Sequence, residues 1–126
     1  MDGRLMKSEF RNEHASCEVV KNHELPAEMD RVRELVRVWT DPEHRKQGYA
    51  TELVRSVCDD ADANSVVLIL QPRPFGHVQG LKALEGWYRR FGFIRTQDNP
   101  VLMARAPSFR PRVTGIAQAV DGVVRG

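Results

Sequence analysis

Between positions 34 and 106 the hydrophobic period of the chain changes four times, and each change marks an element. Residues 34–40, Glu-Leu-Val-Arg-Val-Trp-Thr, are rich in β-formers in loose alternation, which predicts a strand stopped by Asp41-Pro42. Leu53, Val54 and Val57 then recur at helical spacing, so a helix opening near Gly48 lays an apolar stripe on a core. The unbroken run Val66-Val67-Leu68-Ile69-Leu70 within 65–70 suits a strand buried on both faces, and Pro72 and Pro74 end it. Leu81, Leu84, Trp87, Tyr88 and Phe91 fall three and four apart on one face of a second helix, with Gly92 as the residue that ends it. Two short strands, 93–96 and 101–104, flank the turn Gln97-Asp98-Asn99-Pro100. Strand, loop, helix and buried strand form a βαβ unit, which predicts a parallel pair joined by a right-handed crossover and a ligand beyond the carboxyl end of the first strand.

The pattern is thinner upstream. Residues 15–20 read as a strand and 29–33 extend the one at 34, while 1–13 are polar and charged, a composition compatible with a disordered segment.

The stretch with the most chemistry is Arg45-Lys46-Gln47-Gly48-Tyr49-Ala50, which opens the first helix directly after an apolar strand. The first turn of a helix carries N–H groups without intrahelical partners and the positive end of the helix dipole, so an anion can settle there. Gly48 removes the side chain that would block its approach. The loop is neither a Walker loop nor a dinucleotide fingerprint, because Gly-Lys-Ser/Thr and the first glycine of Gly-x-Gly-x-x-Gly are missing. Read by itself it is equally a charged turn with His44, Arg45 and Lys46 in solvent.

With this context the sequence resembles the GCN5-related N-acetyltransferase (GNAT) superfamily. Thr40 to Ala50 fit its acetyl-CoA loop of Arg or Gln, two residues, Gly, one residue, Gly or Ala, and Trp87-Tyr88-Arg89-Arg90-Phe91-Gly92-Phe93 is similar to its aromatic-Tyr-x-x-x-Gly-Phe segment. The resemblance covers 34–106. It implies an α/β, GNAT-type acyl-CoA N-acyltransferase fold, a mixed central sheet with flanking helices, with residues 1–106 as one N-acetyltransferase domain and 107–126 as a C-terminal tail. It also implies acetyl-CoA as co-substrate and direct transfer of its acetyl group to an amine. By position, Val38, Trp39 and Thr40 would offer backbone groups to the pantetheine arm, and the N–H groups of Arg45, Lys46, Gln47, Gly48, Tyr49, Ala50 and Thr51 would hold the pyrophosphate. Tyr88 matches the tyrosine that protonates the departing thiolate in many members, the other reading being a core tyrosine on an aromatic stripe. Glu34 matches the glutamate base of the histone-acetylating branch, the other reading being a strand-end charge paired with Arg33 or Arg37.

The chain departs from the family in places. Leu81 stands where an asparagine often contacts the cofactor, Ala50 replaces the commoner glycine, and Thr40 replaces an aliphatic residue. Only 33 residues precede Glu34, so little room remains for the helices that normally wall the acceptor side. That side is expected to be open or completed by another subunit, giving a homodimer to which 116–124 contribute. A degenerate coenzyme-binding or interaction module without catalysis is the rival class, and a macromolecular acceptor the rival substrate.

Composition narrows the rest. With 41% hydrophobic and 29% charged residues the 126-residue chain is ordinary for one soluble domain, expected in the cytoplasm. No run approaches the ~20 apolar residues of a membrane span. A net charge of +2 does not identify a nucleic-acid partner, and Arg31, Arg33 and Arg37 read as solvated or as a lure for an acidic acceptor or nucleic acid. Cys17 and Cys58 lack metal spacing, and Cys58 reads as packing or surface instead of nucleophile. His14, His23, His44 and His77 are scattered without helical ligand spacing, so no metal site is expected.

Overall fold

The structure, a computed structural model, describes residues 6–73 and 80–108. Six strands form one mixed sheet in the order β1-β2-β3-β4-β6-β5: β1 (Glu9–Arg11), β2 (Ala15–Val20), β3 (Val32–Thr40), β4 (Val67–Leu70), β5 (Ile94–Asp98) and β6 (Val101–Arg105). Helix α1 (Tyr49–Ala63) links β3 to β4, and α2 (Gly80–Arg89) precedes β5. The pair β3 and β4 is parallel, as the βαβ pattern requires, and every other neighbouring pair is antiparallel. Among the described residues no α-helix precedes β3, and no helix is long and apolar enough to cross a membrane.

Helix α1 buries Leu53, Val54, Val57, Cys58 and Ala61, the stripe read from the sequence extended by one turn. It ends in a Schellman pair: Val66 N–H donates to Ala61 O at 2.8 Å and Ser65 N–H to Asp62 O at 3.3 Å, with Ser65 in the left-handed region at φ 57°. Helix α2 ends the same way through Gly92 at φ 100°, where Phe93 N–H reaches Tyr88 O and Gly92 N–H reaches Arg89 O. Phe93 is thereby turned into the core beside Leu68, Met103, Val54, Val57 and Val66, all fully buried. A Phe93→Ala protein is expected to lose about 3–5 kcal/mol of stability in urea denaturation, the range for truncating a buried aromatic ring.

Two ion pairs, each with one buried partner, fasten the helices to the far side of the sheet. Arg105 grips Asp62 with two parallel bonds of 2.9 and 3.1 Å and donates from Nε to Phe91 O, tying β6 to both helices. Glu85, which interrupts the apolar face of α2, is buried because Arg95 Nη2 lies 2.7 Å from both of its oxygens.

The structure differs from the sequence reading at the N-terminus. Residues 9–11 form a strand instead of belonging to a disordered segment, and only Phe10 faces inward, too short a signal for a period to show. Strand β4 is also less enclosed than expected: Leu68 and Leu70 are buried, while Val67 and Ile69 are half-buried. The segment 116–124, expected to dock on a second copy, lies outside the described residues.

Candidate active site

The parallel seam is short. Val32, Arg33 and Glu34 pair with Val67, Leu68 and Ile69, after which β3 continues to Thr40 bonded only to β2. The strands part at Leu35, leaving every second backbone N–H and C=O of the later half of β3 without a strand partner on the β4 side. In the same half β3 carries a bulge, with two residues, Arg37 and Val38, opposite Cys17 and Arg37 at φ 55°. Bulges of this kind re-aim a strand beside a binding site.

A cavity of about 740 Å³ fills the opening. Its floor is 34–38 and Thr40 of β3, one end is the β3–α1 loop and the first turn of α1, and α2 supplies Leu84, Trp87 and Tyr88. The loop turns backbone N–H groups toward that end. Asp41 Oδ1 accepts the Glu43 N–H at 3.2 Å and starts a short 3-10 turn (Pro42–His44); Lys46 and Gly48 then both adopt positive φ, 64° and 91°. Gly48 is the N-cap of α1 and has no side-chain cap bond, so the first-turn N–H groups of Tyr49, Ala50 and Thr51 face the cavity end with no partner inside the helix. Among the described residues, nothing beyond its chain neighbours lies within 4 Å of where a Gly48 Cβ would point. That space is open to a ligand. The same Glu43 amide, with the nearby imidazoles, holds the Asp41 carboxyl below its usual range.

Of the residues expected at the site, Glu34, Val38, Thr40, Arg45, Lys46, Gly48, Tyr49, Ala50, Thr51 and Tyr88 line the cavity. Trp39 and Gln47 do not: Trp39 points to the other side of β3 and is 46% exposed. Tyr88 is buried, and desolvation with a smaller contribution from Cys17 pushes its phenol well above the usual tyrosine range, so it holds its proton at neutral pH. Trp87 fixes α2 against the first turn of α1, its indole Nε1 donating to Thr51 Oγ1 at 3.1 Å. Cys17 and Cys58 are both buried, their thiols pushed up to about 12 and about 11 chiefly by desolvation, which denies either the thiolate a nucleophile needs.

Several lining residues were not anticipated. Gln71 and Arg73 border the cavity just beyond β4. The rule that ligands gather at strand carboxyl ends could have found them, had it been applied to the second strand as well as the first. Asn12 carried no signal: its Oδ1 accepts from the His14 and Ala15 amides to shape the β1–β2 turn, while its Nδ2 donates to Tyr49 O and docks that turn on α1. Arg31, Arg33 and Arg37 have acceptors of their own at Asn64 O, at Asp30 O and Val32 O, and at Glu18.

Residues 9–95 match the family model described as an acetyltransferase (GNAT) domain. Among solved structures, the chain is similar to a putative acyl-CoA N-acyltransferase from Klebsiella pneumoniae, at 20% identity and a TM-score of 0.54 over 78% of this chain and 69% of that one. It is likewise similar to the ribosomal-protein-S18-alanine N-acetyltransferase of Escherichia coli, at 16% identity and 0.55 over 81% and 67%. A third likeness is to N-acetylglutamate synthase from Neisseria gonorrhoeae complexed with coenzyme A and N-acetylglutamate, at 14% and 0.54 over 77% of this chain and 24% of that one. At these identities the likenesses speak to the fold. No curated protein sequence matches the chain.

Proposed function

Because this chain belongs to the GNAT acetyltransferase family, we propose that it transfers the acetyl group of acetyl-CoA directly to an amine. The observation that carries this reading is the single cavity onto which the free edge of β3, the uncapped start of α1 and the Tyr88 ring all converge. An extended pantetheine arm can add to β3 as a short strand, taking the backbone groups that β4 leaves unpaired. The pyrophosphate then reaches the N–H groups around Gly48. The acceptor nitrogen attacks the thioester carbonyl, whose oxygen is polarised by N–H groups of 38–40. The C–S bond breaks, the thiolate takes the Tyr88 proton to leave as a thiol, and the ammonium proton passes to Glu34 directly or through water; the Tyr88 phenolate then regains a proton from solvent as Glu34 releases its own, which resets both groups. Neither cysteine is placed or ionised for a covalent acetyl intermediate, which favours direct transfer.

Mass spectrometry of the protein with acetyl-CoA and a panel of amines, proteins and RNA tests the activity and identifies the acceptor. Acetylation of one class above the enzyme-free rate is expected; coenzyme binding without any transfer would make the chain a binding module.

The base has its own test. Glu34 is half-buried at the last rung of the parallel seam and lines the cavity. A Glu34→Gln enzyme, which cannot accept a proton, is expected to lose about 10²-fold in turnover near neutrality. The loss should shrink as pH rises, because solvent hydroxide then takes the ammonium proton that Glu34 would have taken. A deficit constant with pH would assign Glu34 to structure.

A further inference from the structure

At the rim of the cavity three side chains from two distant segments meet: His14 from the β1–β2 turn, and Asp41 and His44 from the loop after β3. Asp41 Oδ2 lies 3.8 Å from His14 Nδ1 and 3.4 Å from His44 Nδ1, and the imidazoles stack at 3.4 Å between centroids. One ligand atom from each residue falls within 4.8 Å of the others.

Ordinary side-chain bonding leaves this cluster unfinished. Asp41 Oδ1 is used by the Glu43 amide, which turns Oδ2 toward the rings. His44 Nδ1 is buried and, among the described residues, has no well-formed hydrogen bond, its nearest acceptor being Asp41 Oδ2 at 3.4 Å. A buried imidazole nitrogen without a partner is costly, and it is a lone pair or an N–H waiting for something. The surrounding backbone is firmly held: Asp41 N–H donates to His14 O at 2.7 Å, His44 N–H to Asp41 O at 2.8 Å, and Asn12 orders the His14 turn. The backbones that carry the three donors are therefore positioned by structure that does not depend on the donors' own contacts.

We propose that His14, Asp41 and His44 form a binding site for a divalent transition-metal ion of the Zn2+ class, with water in the remaining coordination positions. Two imidazoles and one carboxylate are the donor set borderline cations prefer. Bonds of about 2.0–2.2 Å at tetrahedral angles require donor separations of about 3.3–3.5 Å, close to the two distances from Asp41 Oδ2. The rings reach the ion by turning out of their stack about Cβ–Cγ, and side-chain exposures of 26% and 31% give them room. A bound ion joins the β1–β2 turn to the loop that opens α1, clipping together two segments that the sequence holds far apart. Histidine spacing could not reveal it, since the ligands come from both sides of β2 and β3.

The test uses the full chain and the metals themselves. Equilibrium dialysis against Zn2+ is expected to give one ion per chain, and Co2+ in its place should produce visible ligand-field bands. Zn2+ at about 100 µM should raise Tm by several degrees, as any ligand of the folded state does. His14→Ala and His44→Ala should each weaken binding at least tenfold and abolish the Co2+ bands, whereas exposed His23→Ala should change nothing. Asp41→Asn preserves the shape and the acceptor for Glu43 while removing the charge, so it weakens the metal in a protein that still folds. No ion retained at that concentration, or equal affinity in the unmodified chain and the His14→Ala/His44→Ala double variant, would overturn the site.

Discussion

A Gly48→Glu protein is expected to fold and to lose coenzyme A affinity by well over tenfold. Gly48 caps α1 at φ 91°, and a Cβ there would meet no atom of the described residues within 4 Å beyond its chain neighbours, so the new side chain enters the space in front of the helix instead of the core. Three effects then act on the ligand. A side chain at this φ is strained by about 1–2 kcal/mol, which shifts the loop. Its bulk occupies the approach of the pyrophosphate, and its charge repels that anion where the helix dipole would attract it. Each factor of ten in affinity corresponds to about 1.4 kcal/mol, and the three together exceed that comfortably. Calorimetry with coenzyme A measures the loss, and a Gly48→Ala protein, strained but uncharged, should fall between the two. Unchanged affinity in a folded Gly48→Glu protein would move the pyrophosphate away from this helix.

The largest kinetic effect is expected at Tyr88. A Tyr88→Phe enzyme should bind coenzyme A normally and turn over roughly 10² to 10⁴ times more slowly, the range for a lost general acid. The phenol is buried, and burial keeps it protonated, so the acid is always loaded. Burial also makes it a weaker acid, which on its own would oppose transfer to sulfur. A thiolate released against the buried phenol is itself stripped of water, which raises its basicity and restores the drive for the proton to move. The measurement is a turnover number at saturating acetyl-CoA together with a separate binding constant. Equal turnover in the two proteins would return Tyr88 to the aromatic packing it shares with Trp87 and Phe93.

What the sequence disclosed follows from the range of each signal. Helix α1 and its stripe, the β4 run, the α2 face and Gly92 as its terminator were legible because helical periods and turn glycines act within a few residues. The parallel pairing of β3 and β4 followed from the order of elements. Strand β1 stayed hidden because Phe10 alone faces inward in its three residues. Asn12 on Tyr49, Glu85 under Arg95 and Asp62 under Arg105 were equally hidden, each joining side chains whose proximity only the tertiary fold creates. At the site, the residues placed by resemblance mostly line the cavity, while Trp39, expected there for its backbone groups, keeps its side chain outside it. His14, Asp41 and His44 show the same limit: two segments meet through sheet pairing that no spacing rule encodes.

The parting of β3 from β4 also makes β3 an edge strand over its second half, inside a sheet where it is central over its first. Edges attract foreign strands, and proteins guard them against aggregation with bulges, charges or cover. Here the guard is the Arg37 bulge, which breaks the flat register a second polypeptide would need, with Leu84, Trp87 and Tyr88 standing over the gap. The opening is thus hostile to pairing by another protein's regular strand and open to a slender chain of amides without side chains. A hazard common to open sheets becomes, at this one place, a filter for what is allowed to extend the sheet.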